Sequence, residues 1–233
     1  MKHSFCFAAA LAAVALTRIA SANVIVGQTD TFQDGTTDGW FAGGLGMGMV
    51  PPIPPHVVGS GGPAGGGDQF LQITASSDFG AGSRIAAINL SQWAGNYNGI
   101  PGIAMDLKNF GSTALTIRLL FEDPMGGPPV DQAVTTFGQL LPVSDAWMHA
   151  FFAISPASLT VLQGNVNTLL GNTTLIRIID SPTPTDAVNI KGVLGVDNIT
   201  ATPEPATFLP VFSAFVWLVA RRRRTTTSRP VRS

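Results

Sequence analysis

The chain has 233 residues, 45% of them hydrophobic and 12% charged, with 26 glycines, 17 prolines, one cysteine and a formal net charge of −1. Residues 23–202 are far more acidic, with thirteen aspartates and glutamates against five lysines and arginines, a net charge of −8. Such a segment lacks the cations that neutralise phosphates, which excludes nucleic acid as a partner, and the lone Cys6 excludes an intrachain disulfide.

The first residues have the layout of a secretory signal peptide. Lys2 and His3 form a short polar start, residues 5–16 an apolar run, and Ala20-Ser21-Ala22 a small-residue cleavage site. Residues 1–22 are therefore expected to direct export and to be removed after Ala22, taking Cys6 with them. The next stretch, 23–202, has the length of one domain with a sizeable core. It is rich in Gly, Asn, Thr, Ser and Pro and poor in helical periodicity, which predicts many strands and turns.

Asp34-Gly35 and Asp38-Gly39 are turn signals within the opening segment DTFQDGTTDGW, residues 30–40. Residues 42–67 are dominated by glycine and proline and read as a long surface loop; they hold no lysine or arginine and cannot form a phosphate cradle. Strands are expected at 69–75 and 84–90, and most clearly at 103–108 and 115–122, where apolar and polar residues alternate. Gly111 lies between the last two, so they are expected to pair as an antiparallel hairpin. Further strands are predicted at 133–137, 146–154, 174–179 and 193–201. A short helix is predicted near 156–163, with Ser155 as its cap and Pro156 in its first position. Short strands spaced by turns, without alternating helices, predict an all-β fold, an antiparallel β-sandwich.

The opening segment, together with the last strand Gly195-Val-Asp-Asn-Ile-Thr200, resembles the galactose-binding-like jelly rolls found in many carbohydrate-binding modules. In that class a structural calcium often joins the opening segment to the last strand, so the resemblance nominates Asp30 and Asp197 as metal ligands. The alternative is that the aspartates serve as ordinary turn and strand-end residues. For a glycan, Trp93 and Tyr97 with Asn96 beside them form a loop of suitable chemistry, because exposed rings stack on sugars while amides hold hydroxyls. The competing expectation is core packing, where tryptophan usually goes.

No catalytic residue is predicted. The chain has no H-E-x-x-H or G-x-S-x-G motif. Glu122 and Asp123 are adjacent and would point to opposite faces of a strand. His149 alternates with Trp147 and Phe151 and is expected to be packed.

The tail reads Pro203-Glu204-Pro205, then fifteen uncharged residues, 206–220, then Arg221, Arg222, Arg223 and Arg224. A helix of that length would span about 22 Å against roughly 30 Å of bilayer hydrocarbon, and the arginines would stay in the cytoplasm. The three parts together resemble the PEP-CTERM sorting signal of bacterial envelope proteins. The resemblance implies an exosortase as partner, transient membrane residence through a short transmembrane helix at 206–220, and processing near Pro203 to Pro205. On this reading 203–224 is the sorting signal and 225–233 a cytoplasmic tail. The expected function is that of a non-catalytic protein of the cell surface or exopolysaccharide matrix; the alternative is a specific carbohydrate-binding module, with polysaccharide as its partner.

Overall fold

The computed structural model describes residues 23–43, 53–76, 81–123 and 128–203. The expected signal peptide and the apolar helix and arginines of the tail lie outside the described residues. In chain order the strands are β1 (Thr29–Asp30), β2 (Phe41–Ala42), β3 (His56–Val58), β4 (Phe70–Ala75), β5 (Ala86–Asn89), β6 (Gly102–Asn109), β7 (Leu115–Asp123), β8 (Asp131–Thr135), β9 (Gln139–Leu141), β10 (Met148–Ala153), β11 (Leu159–Gln163), β12 (Leu175–Asp180) and β13 (Gly192–Thr202). Among the described residues a short α-helix, α1 (Val166–Gly171), precedes β12.

The strands form two antiparallel sheets. In the first the order is β10-β6-β13-β4-β3, with β1 also pairing β13; in the second it is β11-β8-β7-β12-β5-β2, with β9 pairing β7. The core between them is built by alternation: Ile103, Met105 and Leu107 of β6 and Leu194, Val196, Ile199 and Ala201 of β13 face Ile117, Leu119 and Phe121 of β7 and Ile176 and Ile178 of β12. Each such aliphatic side chain contributes about 1.5–3 kcal/mol on burial.

Three local expectations are corrected. First, β6 and β7 do not form a hairpin; they belong to opposite sheets, and the segment between them crosses from one to the other. Asn109 holds that crossing: its amide donates to Thr113 O (2.8 Å) and Leu141 O (3.2 Å) and its Oδ1 accepts from Gly111 N (2.9 Å). Second, the short helix is present but lies at Val166–Gly171, capped by Asn165, whose side chain accepts from Asn167 N and Thr168 N. Residues 159–163, inside the predicted helix, form β11 on β8 instead, in keeping with the β-branched Thr160 and Val161 in that run. Third, part of the Gly/Pro-rich stretch is ordered as β3, which pairs β4 through His56–Gln72 and Val58–Phe70.

The outer face of the second sheet is covered in part, although Leu140, paired to Thr116 on that face, stays 65% exposed. Leu120, Val134, Ile179 and Ala86 form a small second core with Ala187 from the segment after β12. Buried Arg118 fastens that segment, donating to Ser181 O (2.8 Å), Pro182 O (3.1 Å), Thr135 O (2.7 Å) and Thr136 O (2.8 Å).

Candidate functional site

The outer face of the first sheet carries a cluster of accessible aromatic and polar side chains. Its layout follows from register. Lys108, Gly195, Gln72 and His56 line up across β6, β13, β4 and β3. Next to them, His149, Asp106 and Asp197 line up across β10, β6 and β13. A third row has Phe151, Ala104, Thr200 and Thr29 across β10, β6, β13 and β1.

Aromatic rings stand at both ends of these rows. At one end Phe110 stacks on Phe70, with centroids 5.2 Å apart, and Trp147 meets both edge-on at 5.1 and 6.0 Å. Lys108 Nζ lies 4.7 Å from the centre of the Phe110 ring, a favourable cation–π arrangement. These rings close down on Gly195, where a Cβ would come within 2.6 Å of Phe110 and 2.9 Å of Trp147. Trp147 Nε1 donates to Gly61 O (3.0 Å), tying the loop after β3 to the face. At the other end the Phe151 ring covers Gly102, which likewise has no room for a Cβ. Phe110 remains 41% exposed and Phe151 37%.

Between the rings lies a polar relay. Asp106 Oδ1 is 2.8 Å from His149 Nδ1, and Asp106 Oδ2 accepts from Asn198 Nδ2 at 2.8 Å. Asn198 reaches Asp106 because β13 bulges after Asp197, with Asn198 at φ 51°; bulges of this kind re-aim a side chain. His149 is therefore oriented by a carboxylate that is itself oriented by an amide. Its side chain is 69% exposed, not packed as expected: its alternation with Trp147 and Phe151 marks the solvent side of β10.

Asp197 sits under this relay, fully buried. Its Oδ1 accepts from Asn198 N (2.7 Å), and its Oδ2 has no hydrogen-bond partner among the described residues. Burial above all, then the Asp68 and Asp106 carboxylates, push its pKa up to about 7.

The sequence-predicted residues fall elsewhere. Trp93 is 0% and Tyr97 1% exposed, so neither can stack on a sugar and the platform drawn on them is corrected. Trp93 Nε1 donates to Asp30 Oδ2 (2.6 Å), and Tyr97 Oη donates to Trp93 O (2.6 Å) while its ring meets Phe121 edge-on. Burial raises the Tyr97 pKa well above its ordinary value. Asn96 is half-buried and accepts from Asn98 N (2.8 Å), a local turn contact.

The calcium pair does not fit either. Asp30 pairs with Ile199 and faces the core, whereas Asp197 pairs with Asp106 on the outer face. The Asp30 carboxylate accepts from Trp40 Nε1 (2.8 Å) and Trp93 Nε1 (2.6 Å), with Gln92 Nε2 at 3.3 Å. Three N–H groups aimed at one carboxylate occupy it with the positive ends of dipoles, where a cation would need oxygens. Burial raises the Asp30 pKa, and the indole bonds oppose that rise. Among the described residues no group of three or more His, Cys, Asp or Glu is placed to hold a metal.

No protein-family model matches the chain, and no curated protein matches it in sequence. Its fold is similar to that of the family 11 carbohydrate-binding module from Clostridium thermocellum, solved in complex with a β-1,3-1,4-mixed-linked tetrasaccharide: TM-score 0.52, 17% identity, covering 77% of this chain and 97% of that one. CtCBM11, studied in solution, is similar at TM-score 0.50 and 18% identity, with 76% and 96% covered. At these identities the likeness is one of fold, and the domain is a two-sheet antiparallel sandwich of the jelly-roll type seen in carbohydrate-binding modules.

Proposed function

We propose that residues 23–202 are a non-catalytic carbohydrate-binding module whose platform is the outer face of the first sheet. The observation that carries this reading is the arrangement of Phe110 and Trp147 at one end and Phe151 at the other, around the His149–Asp106–Asn198 relay. Rings accept the apolar faces of sugars, and the polar centre offers donors and acceptors to hydroxyls. Trp147 and Phe151 are four residues apart on an extended chain, so the platform is about 13–14 Å long, a short oligosaccharide rather than one sugar. The net charge of −8 favours a neutral polysaccharide over an anionic one. A glycan array probed with wild type and with Phe151→Ala tests this. Selective binding that weakens in the variant is expected; no binding at millimolar sugar, or equal binding by both, overturns it.

The sequence supports a second part of the reading, concerning address. The chain is exported through residues 1–22, held transiently in the membrane by 206–220, and processed at Pro203-Glu204-Pro205 by an exosortase that also needs Arg221 to Arg224, which delivers the module to the cell surface or polysaccharide matrix. The supporting features are the tripeptide, the short apolar run and the arginine cluster. Replacing the four arginines with neutral residues is expected to block surface delivery, and unaltered delivery overturns the assignment.

A further inference from the structure

Beneath the open face of the first sheet lies a carboxyl group with too few partners to be charged. Asp197 is fully buried; its Oδ1 accepts from Asn198 N (2.7 Å), and its Oδ2 has no partner among the described residues. An ionised carboxylate offers about four lone-pair sites, and burying a charge served by so few donors costs far more than burying the neutral acid. The groups around it add to that cost. Asp106 of β6 is its cross-strand partner, and Asp68, just before β4, repels it as well. His149 of β10 is already held by Asp106. Lys108 of β6 and His56 of β3 lie in the adjacent row, with Lys108 over the Phe110 ring. β1 contributes no charge to this face, because Asp30 faces the core. Burial and the two carboxylates together raise the Asp197 pKa to about 7.

Asn198 serves both carboxylates. Its backbone N–H donates to Asp197 Oδ1 and its side-chain Nδ2 to Asp106 Oδ2 (2.8 Å), while Asp106 Oδ1 meets His149 Nδ1 (2.8 Å). The residue sits at φ 51°, where the register of β13 shifts between Asp197 and Thr200, a bulge conformation that persists only while its surroundings maintain it. We propose that Asp197 is a proton switch for the sugar face: neutral, it leaves Asn198 free to hold Asp106 and, through it, His149; ionised, it competes for Asn198 and loosens that hold.

On the sugar-face reading above, on which this switch rests, His149 is oriented for hydroxyls while Asp197 keeps its proton. The sign follows from the raised pKa. Affinity for sugar is greatest at mildly acid pH and falls as pH rises through about 7. By linkage, a bound sugar favours the neutral acid and raises the Asp197 pKa further. Asp197 touches no sugar in this scheme; it is a positioning residue.

Carbon and nitrogen NMR of the full chain in detergent micelles tests the coupling without sugar. The Asp197 carboxyl carbon is expected to titrate with a midpoint near pH 7, and the Asn198 side-chain amide to shift with the same midpoint. In Asp197→Asn, uncharged at every pH, that shift is expected to vanish. An Asn198 amide that ignores the Asp197 titration, or that shifts alike in both proteins, overturns the proposal. Where the variant fails to fold, the wild-type titration decides, because its two midpoints either coincide or differ. Calorimetric titration with a neutral glucan tetrasaccharide tests the regulation. Wild type is expected to bind about tenfold more weakly at about pH 8.5 than at about pH 5.5, equivalent to about one unit in the Asp197 pKa on binding. Equal affinity at both, or a slope that persists unchanged in Asp197→Asn, overturns the proposal. Binding at neither pH removes the sugar reading instead, and the NMR titration then decides the switch by itself.

Discussion

Removing the Asp30 carboxylate isolates the clamp that joins the opening segment to the loop carrying Trp93. In Asp30→Ala the indole N–H groups of Trp40 and Trp93 lose their acceptor while both rings stay buried. An orphaned buried donor costs about 1–3 kcal/mol, so two cost roughly 2–6 kcal/mol. That is a large part of a typical domain stability of about 5–15 kcal/mol. For a domain of this size each kcal/mol moves the midpoint by about 2–4 °C, which puts the expected fall in Tm at roughly 5–20 °C. The assay is thermal unfolding followed by tryptophan fluorescence, with and without a calcium chelator. Both indoles donate to the same oxygen, Oδ2, so Asp30→Asn, which keeps one acceptor oxygen, is expected to lose much less than Asp30→Ala. Asp34→Ala, at an exposed turn position, is the control and is expected to keep a midpoint close to that of wild type. A wild-type midpoint for Asp30→Ala refutes the clamp. So does a chelator effect seen in wild type and absent in Asp30→Ala, because the carboxylate would then be serving a cation.

Asp197 makes stability depend on pH. Its folded pKa, about 7, lies above the ordinary carboxylate value of 3.8, so its contribution is complete below about pH 4 and is lost as pH rises to about 7; at about 1.4 kcal/mol per unit the loss is at most roughly 4 kcal/mol. Urea unfolding between these limits should show that slope, and Asp197→Asn should flatten it. On the sugar face, Phe151→Ala is expected to weaken glycan binding about tenfold, or about 1.4 kcal/mol, with little change in Tm. Trp93→Ala should do the reverse and destabilise the fold by about 3–5 kcal/mol; titration calorimetry beside thermal melts separates the two. Arg118→Lys cannot reproduce four guanidinium bonds to carbonyls and is expected to cost about 2 kcal/mol or more, read as a lower urea midpoint.

Much of the architecture was legible in the sequence because it depends on short-range chemistry. The alternation in 103–108 and 115–122 marks β6 and β7, and the two Asp-Gly pairs mark turns, with Gly35 at φ 78° and Gly39 at φ 75°. The site was less legible. Trp147, His149 and Phe151 already stood in alternation, but a period of two says only that residues share a face, not whether that face looks inward or out. Trp93 and Tyr97, in a loop rich in Asn and Gly, have the composition of a surface and the position of a core, because Asp30 and the Trp93 carbonyl supply buried acceptors for their polar atoms.

What the sequence by itself determined is the longer strands, the all-β class, the acidic composition of 23–202 and the two ends expected to address the protein. Only the tertiary structure decided that β6 and β7 part into opposite sheets, that one outer face is partly covered by the segment after β12, fastened by Arg118, and that the other stays open with its rings and relay. The physical reason is that local pattern sets which residues can form a strand. Long-range pairing, with a crossing at Asn109 and a bulge at Asn198, sets which side of that strand meets water.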